Sequence, residues 1–351
     1  MGTFKKILIY LFFMLILVTL IILALRKYHH KKIESVTSKD YSAENYNYPQ
    51  GIDRTHPEKS QIPGVNVSVI EDGKAVGYKL DPYHKISKGA IITLGGSEGS
   101  SNFPLAAQLA KEGYVVYSMY YFGKDNLPKE LVKVPVENLK AILEKVKGEV
   151  DGPISVIGAS KGAEFALLAS TIYPDAIDHL VLYSPSSHVF QGLSSNRKVS
   201  SSSFSFQEEE ISYLSFKDVS PSIWIHFLIQ TTIGKPLVFE PLYHNLLDNT
   251  KHFEETRIKV EKFPGDILIF VGEKDQMWPS LKMAKFIKKN HPHTKIKTFH
   301  DAGHTFYGPG ILDHFALGGN STTNQRAKII SDTILYHNLE HWHPLIESSK
   351  N

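Results

Sequence analysis

From residue 65 onward, short runs rich in Val, Ile and Tyr alternate with stretches of helical spacing, and few architectures accommodate that rhythm. VNVSVI (65–70) and AVGYKL (75–80), around Glu71-Asp72-Gly73-Lys74, predict a hairpin; AIITLGG (90–96) predicts a buried strand. Helical spacing over 103–112 ends at Gly113, GYVVYSMYY (113–121) is strand-like, and a second helix is expected over 135–148 from Pro135. ISVIG (154–158), a helix from Ser160, HLVLYS (179–184), DILIFVG (266–272), a helix near 280–289, a strand near 295–299 and a helix near 323–340 continue the pattern. Strands that alternate with helices in this way imply an α/β, doubly wound architecture, a mostly parallel sheet with helices on both faces. Residues 185–262 break the rhythm and are too long for a connection, which predicts a lid-like or binding insertion. Within it the Ser-rich run Ser194–Ser205 reads as solvated surface, beside the acidic Glu208-Glu209-Glu210 and the apolar Ile223-Trp224-Ile225.

The chemistry has to run through oxygen, because the 351 residues include no cysteine: no disulfide, thiolate metal site or Cys nucleophile is available. Gly158-Ala159-Ser160-Lys161-Gly162 is a G-x-S-x-G directly after a predicted strand and before a helical run. The glycines permit a tight strand-to-helix turn that presents the Ser160 hydroxyl at a helix N-terminus, whose partial positive charge favours a developing anion. A serine hydroxyl needs a general base and an acid to orient it, in the chain order Ser, Asp or Glu, His. Asp275 follows the strand 266–272, and His304 lies on the loop after the next strand. Glu273 and Asp301 are rival acids; His300, His291, His293 and His314 are lesser candidates for the base. Backbone donors for a tetrahedral oxyanion are expected at Lys161 N–H and at Ser97 or Glu98 N–H, in the Gly-rich loop 94–100. His188 and Trp278 are candidates for lining the substrate pocket, His188 reading equally well as a surface residue. No H-E-x-x-H, EF-hand or Walker pattern occurs, and His291-Pro292-His293 reads as a solvated loop, so no metal or cofactor is expected.

The N-terminus carries a separate signal. Ile7 to Leu25 are nineteen uncharged residues, long enough for a membrane-spanning helix, and Arg26-Lys27 follow at once where a signal peptide would carry a small-x-small cleavage site. Residues 1–32 are therefore expected to be an uncleaved anchor, 33–62 a polar linker, and 63–345 the folded body. The net charge of +3 belongs to the anchor, whose six Lys and Arg face no acid; without them 33 basic side chains oppose 36 acidic ones, which disfavours a nucleic-acid partner. Four cations after the span against two before it lean toward a cytoplasmic body. Nothing in the sequence bears on the oligomeric state.

LGGSEGS (94–100), LAKEGYVVYSMYYFGKDNLP (109–128), GASKGAEFALLAS (158–170), SPSSHVFQG (184–192), EETRIKVEKFPGDILIFVGEKDQMWPS (254–280), AGHTF (302–306) and LGGNSTTNQRAKIISDTILYHNL (317–339) together resemble the C-terminal catalytic domain shared by acyl-CoA thioesterases and bile acid-CoA:amino acid N-acyltransferase. The resemblance implies an α/β-hydrolase fold with Ser160, Asp275 and His304 as a triad, and an acyl thioester or ester as substrate. Acyltransferase members are similar but carry Cys at the nucleophile position, whereas this chain has Ser160, which favours transfer to water. An acyltransferase, a carboxylesterase, or a non-catalytic membrane-tethered binding protein on the same fold are the alternatives.

Overall fold

The computed structural model describes residues 2–37, 51–53, 56–196 and 199–346. A long helix α1 (Gly2–Thr37) comes first, followed by the hairpin β1 (Val65–Asp72) and β2 (Ala75–Pro82), then β3 (Ala90–Leu94), α2 (Phe103–Lys111), β4 (Val116–Tyr120), β5 (Val134–Pro135), α3 (Glu137–Glu149), β6 (Ile154–Ala159), α4 (Lys161–Ile172) and β7 (His179–Tyr183). Beyond these lie β8 (Phe204–Phe206), β9 (Glu209–Glu210), α5 (Pro221–Thr232), α6 (Glu240–Asn249), α7 (Phe253–Thr256), β10 (Asp266–Gly272), α8 (Ser280–Asn290), β11 (Lys295–Phe299), the small pair β12 (Ile311–Leu312) and β13 (Phe315–Ala316), and α9 (Ser321–Trp342).

Eight strands form one sheet in the order β1-β2-β4-β3-β6-β7-β10-β11, antiparallel at β1, β2 and β4 and parallel from β4 to β11. β3, β4 and β6 are buried along essentially their whole length because apolar cores cover both faces. Leu139, Ile142 and Val146 of α3, Phe165 and Leu167 of α4 and Ile287 of α8 fill one face. Leu105 and Leu109 of α2 and Leu335, Leu339 and Trp342 of α9 fill the other. The result is a mostly parallel sheet flanked by helices, an arrangement that resembles the α/β-hydrolase fold. After β3 the chain steps to β4 on one side and then returns to β6 on the other, so a topological switch point opens at the C-terminal ends of β3 and β6.

Three expectations change. The helix expected from Pro135 begins at Glu137, because Val134 and Pro135 pair with Phe204 and Ser205. Residues 33–37, expected as linker, continue α1; residues 38–50, 54 and 55 of that linker lie outside the described residues. The Ser-rich run, expected at the surface, turns inward at its C-terminal end, where Ser202, Ser203 and Ser205 are buried. The stretch 185–262 that contains it has a core of its own: Phe190, Leu214, Phe227, Tyr243 and Leu246 pack with Trp278 and Met283 from the sheet side.

Candidate active site

β6 ends at Ala159, α4 starts at Lys161, and Ser160 between them takes the left-handed φ of 53° with ψ −118°. Few L-residues tolerate such a backbone, and only surrounding bonds hold it in place. Here Ser160 N–H donates to the Tyr183 carbonyl at the end of β7, and the Ser160 carbonyl accepts from the Ala163 and Glu164 N–H groups. Gly162 cannot be larger, since a Cβ there would lie 2.0 Å from the Gly95 carbonyl oxygen; the turn after β6 and the loop after β3 meet backbone to backbone.

On this turn the Ser160 hydroxyl lies 2.9 Å from His304 Nε2, and His304 Nδ1 lies 2.8 Å from Asp275 Oδ2. A carboxylate only accepts, which places the imidazole proton on Nδ1 and leaves Nε2 to accept from Ser160. The other carboxylate oxygen of Asp275 accepts from the Met277 and Trp278 N–H groups at 2.8 and 3.2 Å, so its orientation is fixed by the turn after β10. The side chains of His304 and Asp275 are almost wholly buried. His304 is held from behind as well: its N–H donates to the Leu317 carbonyl, its carbonyl accepts from Ser184 Oγ at 2.6 Å, and the Trp278 ring stands edge-on to the imidazole at 5.6 Å. Trp278 Nε1 in turn donates to the Ser184 carbonyl at 3.0 Å.

The rival groups lie elsewhere. Glu273 pairs with His300 at 2.8 Å on the surface, Asp301 is exposed beside them, and His291 bonds Thr294 and the Phe263 carbonyl. His293 stands by the His291 ring, and His314 faces α1. His188 has neighbours of its own: its buried ring packs against Phe253 and Phe286, which also contact each other, and bonds Ser187 Oγ at 2.8 Å. That burial lowers its imidazole pKa to about 4. In the loop after β3, Ser97 and Glu98 are exposed, and Gly96 approaches Ser160 closely: a Cβ on it would stand 3.3 Å from Ser160 Cβ. The Glu98 carboxylate folds back to accept from Gly96 N–H at 3.0 Å and from Ser100 Oγ at 2.5 Å. Lys161 N–H stands at the first position of α4, ahead of the helix's own hydrogen-bond ladder. Among the described residues no cluster of three or more His, Asp or Glu side chains is placed to hold a metal ion.

A second constellation underlies the turn. The Lys161 side chain is buried, its ammonium donating to both Glu164 oxygens at 2.9 Å and to Ser203 Oγ at 2.7 Å. Glu164 also accepts from Phe190 N–H at 3.1 Å, and Ser203 Oγ donates to the Phe190 carbonyl at 2.9 Å. Burial pushes the Lys161 pKa down and the Glu164 pKa up, each shift opposed by the partner's charge. Sequence reasoning uses Lys161 only for its N–H and passes over Glu164, Ser203 and Ser184. A signal was present in Lys161-Gly162-Ala163-Glu164-Phe165-Ala166-Leu167-Leu168: two opposite charges three residues apart at the head of an apolar helical run.

The family profile described as BAAT / Acyl-CoA thioester hydrolase C terminal matches residues 141–317. Acyl-coenzyme A thioesterase 6 of Mus musculus is 27% identical over 278 residues, which cover 75% of this chain and 60% of that protein. Acyl-coenzyme A thioesterase 2, mitochondrial, of Rattus norvegicus is 25% identical over 280 residues, covering 76% and 57%. Acyl-coenzyme A amino acid N-acyltransferase 2 of Rattus norvegicus is 28% identical over 238 residues, covering 64% and 50%. The chain thus spans about 60% or less of the length of these relatives. Among solved structures, the acylaminoacyl peptidase of Pyrococcus horikoshii aligns over 82% of this chain and 43% of its own, with a TM-score of 0.49 and 12% identity.

Proposed function

The chain belongs to the BAAT / acyl-CoA thioester hydrolase C-terminal family, and on that premise we propose that it is a serine hydrolase that cleaves acyl thioesters or esters through an acyl-enzyme on Ser160. The observation that carries this reading is the unbroken chain of hydrogen bonds from Ser160 Oγ through His304 to Asp275, at the C-terminal edge of a parallel sheet. In the first half-reaction His304 Nε2 takes the Ser160 proton as Oγ attacks the acyl carbon. Asp275 keeps the imidazole in the required tautomer and stabilises the imidazolium. The tetrahedral oxygen is held by Lys161 N–H and by an N–H of the loop after β3, Ser97 or Glu98 being our assignment. His304 then returns the proton to the departing thiolate or alkoxide. In the second half-reaction it activates a water that releases the acid and restores Ser160.

Trp278 borders the acyl side through its contact with His304, and the insertion 185–262 forms a lid-like wall through the core it shares with Trp278. His188, buried against Phe253 and Phe286, is assigned to the support of this wall rather than to its substrate-facing surface. Residues 7–25 of α1 span a membrane as a single anchor, with the body 63–345 on one side, the cations after the span favouring the cytoplasm. The test is turnover of acyl-CoAs of graded chain length and of p-nitrophenyl esters by the full chain in detergent, beside Ser160→Ala. Cleavage that is lost in the variant, with fluorophosphonate labelling lost in parallel, is the expected result. Cleavage of simple esters alone would remove the CoA thioester from the reading. Absence of both Ser160-dependent turnover and labelling would leave a binding protein in its place.

A further inference from the structure

The reaction leaves one feature of the insertion without a use. On α5, Trp224, Ile225, Leu228 and Ile229 are 45–66% exposed, and their spacing of one, four and five residues puts them on a single helical face. Phe227 and Gln230 are buried on the other side and fasten the helix to the insertion, and the helix carries no Asp, Glu, Lys or Arg. An apolar face of this kind is normally covered.

What covers it is indicated by what lies at its end. Gly234, two residues beyond α5, abuts α1: a Cβ on it would stand 3.4 Å from Arg26 Cα. Arg26 is the first residue after the apolar stretch that ends at Leu25, and Arg26 and His30 line a cavity of about 610 Å³ with Thr231, Gly234, Lys235 and His314. The C-terminal end of α5 is therefore level with the place where the apolar stretch of α1 gives way to cations. The hairpin β12–β13, bridged to Leu237 and in contact with α1, exposes Leu312 and Phe315 at the same level. Lys235 follows α5 on the side of Arg26, Lys217 and Asp218 precede it as a neutral pair, and Trp is the side chain best matched to the membrane–water boundary.

We propose that α5 is an interfacial helix that lays Trp224, Ile225, Leu228 and Ile229 into the headgroup layer of the bilayer that α1 crosses, holding the insertion on the lipid surface. This inference rests on the reading of α1 as a membrane span. The chain contains three tryptophans, and Trp278 and Trp342 are only 3% and 6% exposed, so Trp224 reports on the face alone. The experiment reconstitutes the full chain, one copy per nanodisc, in phosphatidylcholine and phosphatidylserine, with and without phosphatidylcholine brominated near the top of its acyl chains. The expected result is quenching by the brominated lipid equal to the emission that Trp224→Phe removes, and no quenching in that variant. Alkaline carbonate extraction of membranes carrying the full chain tests the anchor separately. Retention in the membrane without quenching, with Trp224 still open to aqueous acrylamide, would overturn the interfacial helix alone. Protection of Trp224 only in discs that hold two copies would overturn it in favour of a second copy of this chain. Release by carbonate would overturn the anchor and this inference together.

Discussion

Replacing Lys161 by methionine tests whether the turn that carries Ser160 depends on a buried ion pair. The ammonium makes three hydrogen bonds, two of 2.9 Å to Glu164 and one of 2.7 Å to Ser203. Two unit charges 2.9 Å apart attract by about 6 kcal/mol at an effective dielectric of 20, a gross figure that the desolvation of both groups largely offsets. Methionine fills most of the volume but leaves the Glu164 carboxylate buried with Phe190 N–H as its remaining donor in this network. Breaking one side of such a pair costs about 3–5 kcal/mol. At roughly 2–4 °C per kcal/mol for a body of this size, the unfolding midpoint falls by about 10 °C. Lys161→Met/Glu164→Leu, which removes both charges, is expected to regain most of that loss, because an apolar replacement of a buried pair is commonly neutral. The assay is thermal unfolding of the full chain in detergent, followed by near-ultraviolet circular dichroism, for wild type, both single variants and the double variant. Single variants that unfold within a degree of wild type, or a double variant that loses the sum of the singles, would refute the argument.

Asp275→Asn retains an oxygen for the Met277 and Trp278 N–H groups but turns an amide toward His304 Nδ1, which forces the proton onto Nε2. Turnover is expected to fall on the order of 10⁴-fold with KM little changed, read from steady-state kinetics on the best substrate. His188 is buried, and its pKa is lowered from 6.5 to about 4 in the fold, so between those values the unfolded chain binds the extra proton and stability is lost as pH falls. At pH 5 the loss is about 2 kcal/mol. His188→Leu is expected to flatten the dependence of the unfolding midpoint between pH 7 and 5, with His179, also held at about 4, retaining part of the slope. An unchanged slope in the variant would count against the assignment.

The elements that could be read from the sequence are those whose environment is uniform along their length. β3, β6 and β10 are apolar because both faces of the sheet are covered, so burial is written in consecutive residues and needs no knowledge of what lies opposite. The chain order Ser160, Asp275, His304 was legible for a related reason: Ser160 and Asp275 each follow one such strand, His304 follows the more exposed edge strand β11, and the ends of parallel strands share an edge. Over the Ser-rich run composition misleads, because it reports only an average preference for solvent. Ser203 satisfies its hydroxyl on Lys161 and Phe190, partners 42 and 13 residues away, which no local pattern discloses. The loop after β3 shows the same limit. Its glycines signal a close backbone approach, but that the Glu98 carboxylate folds back onto Gly96 N–H is a side-chain choice within the loop that no local pattern discloses.

Register explains why these separate loops meet. Ala159 at the end of β6 pairs with Tyr183 at the end of β7, Tyr183 pairs with Phe270 in β10, and Gly272 at the end of β10 pairs with Phe299 at the end of β11. The residues just beyond those pairs, Ser160, Ser184 and the Asp275 and His304 turns, therefore emerge side by side. A slip of one residue in any of these strands would turn its side chains to the opposite face of the sheet and carry its loop out of reach. Ser184 occupies the middle of this row: it bonds the His304 carbonyl on one side and, through its own carbonyl, the Trp278 indole on the other. The insertion departs directly from Ser184 and returns to the turn after β6 through Phe190 and Ser203 on the Lys161–Glu164 pair. Its N-terminal part is thereby tied both to the Ser160 turn and, through Ser184, to the His304 loop.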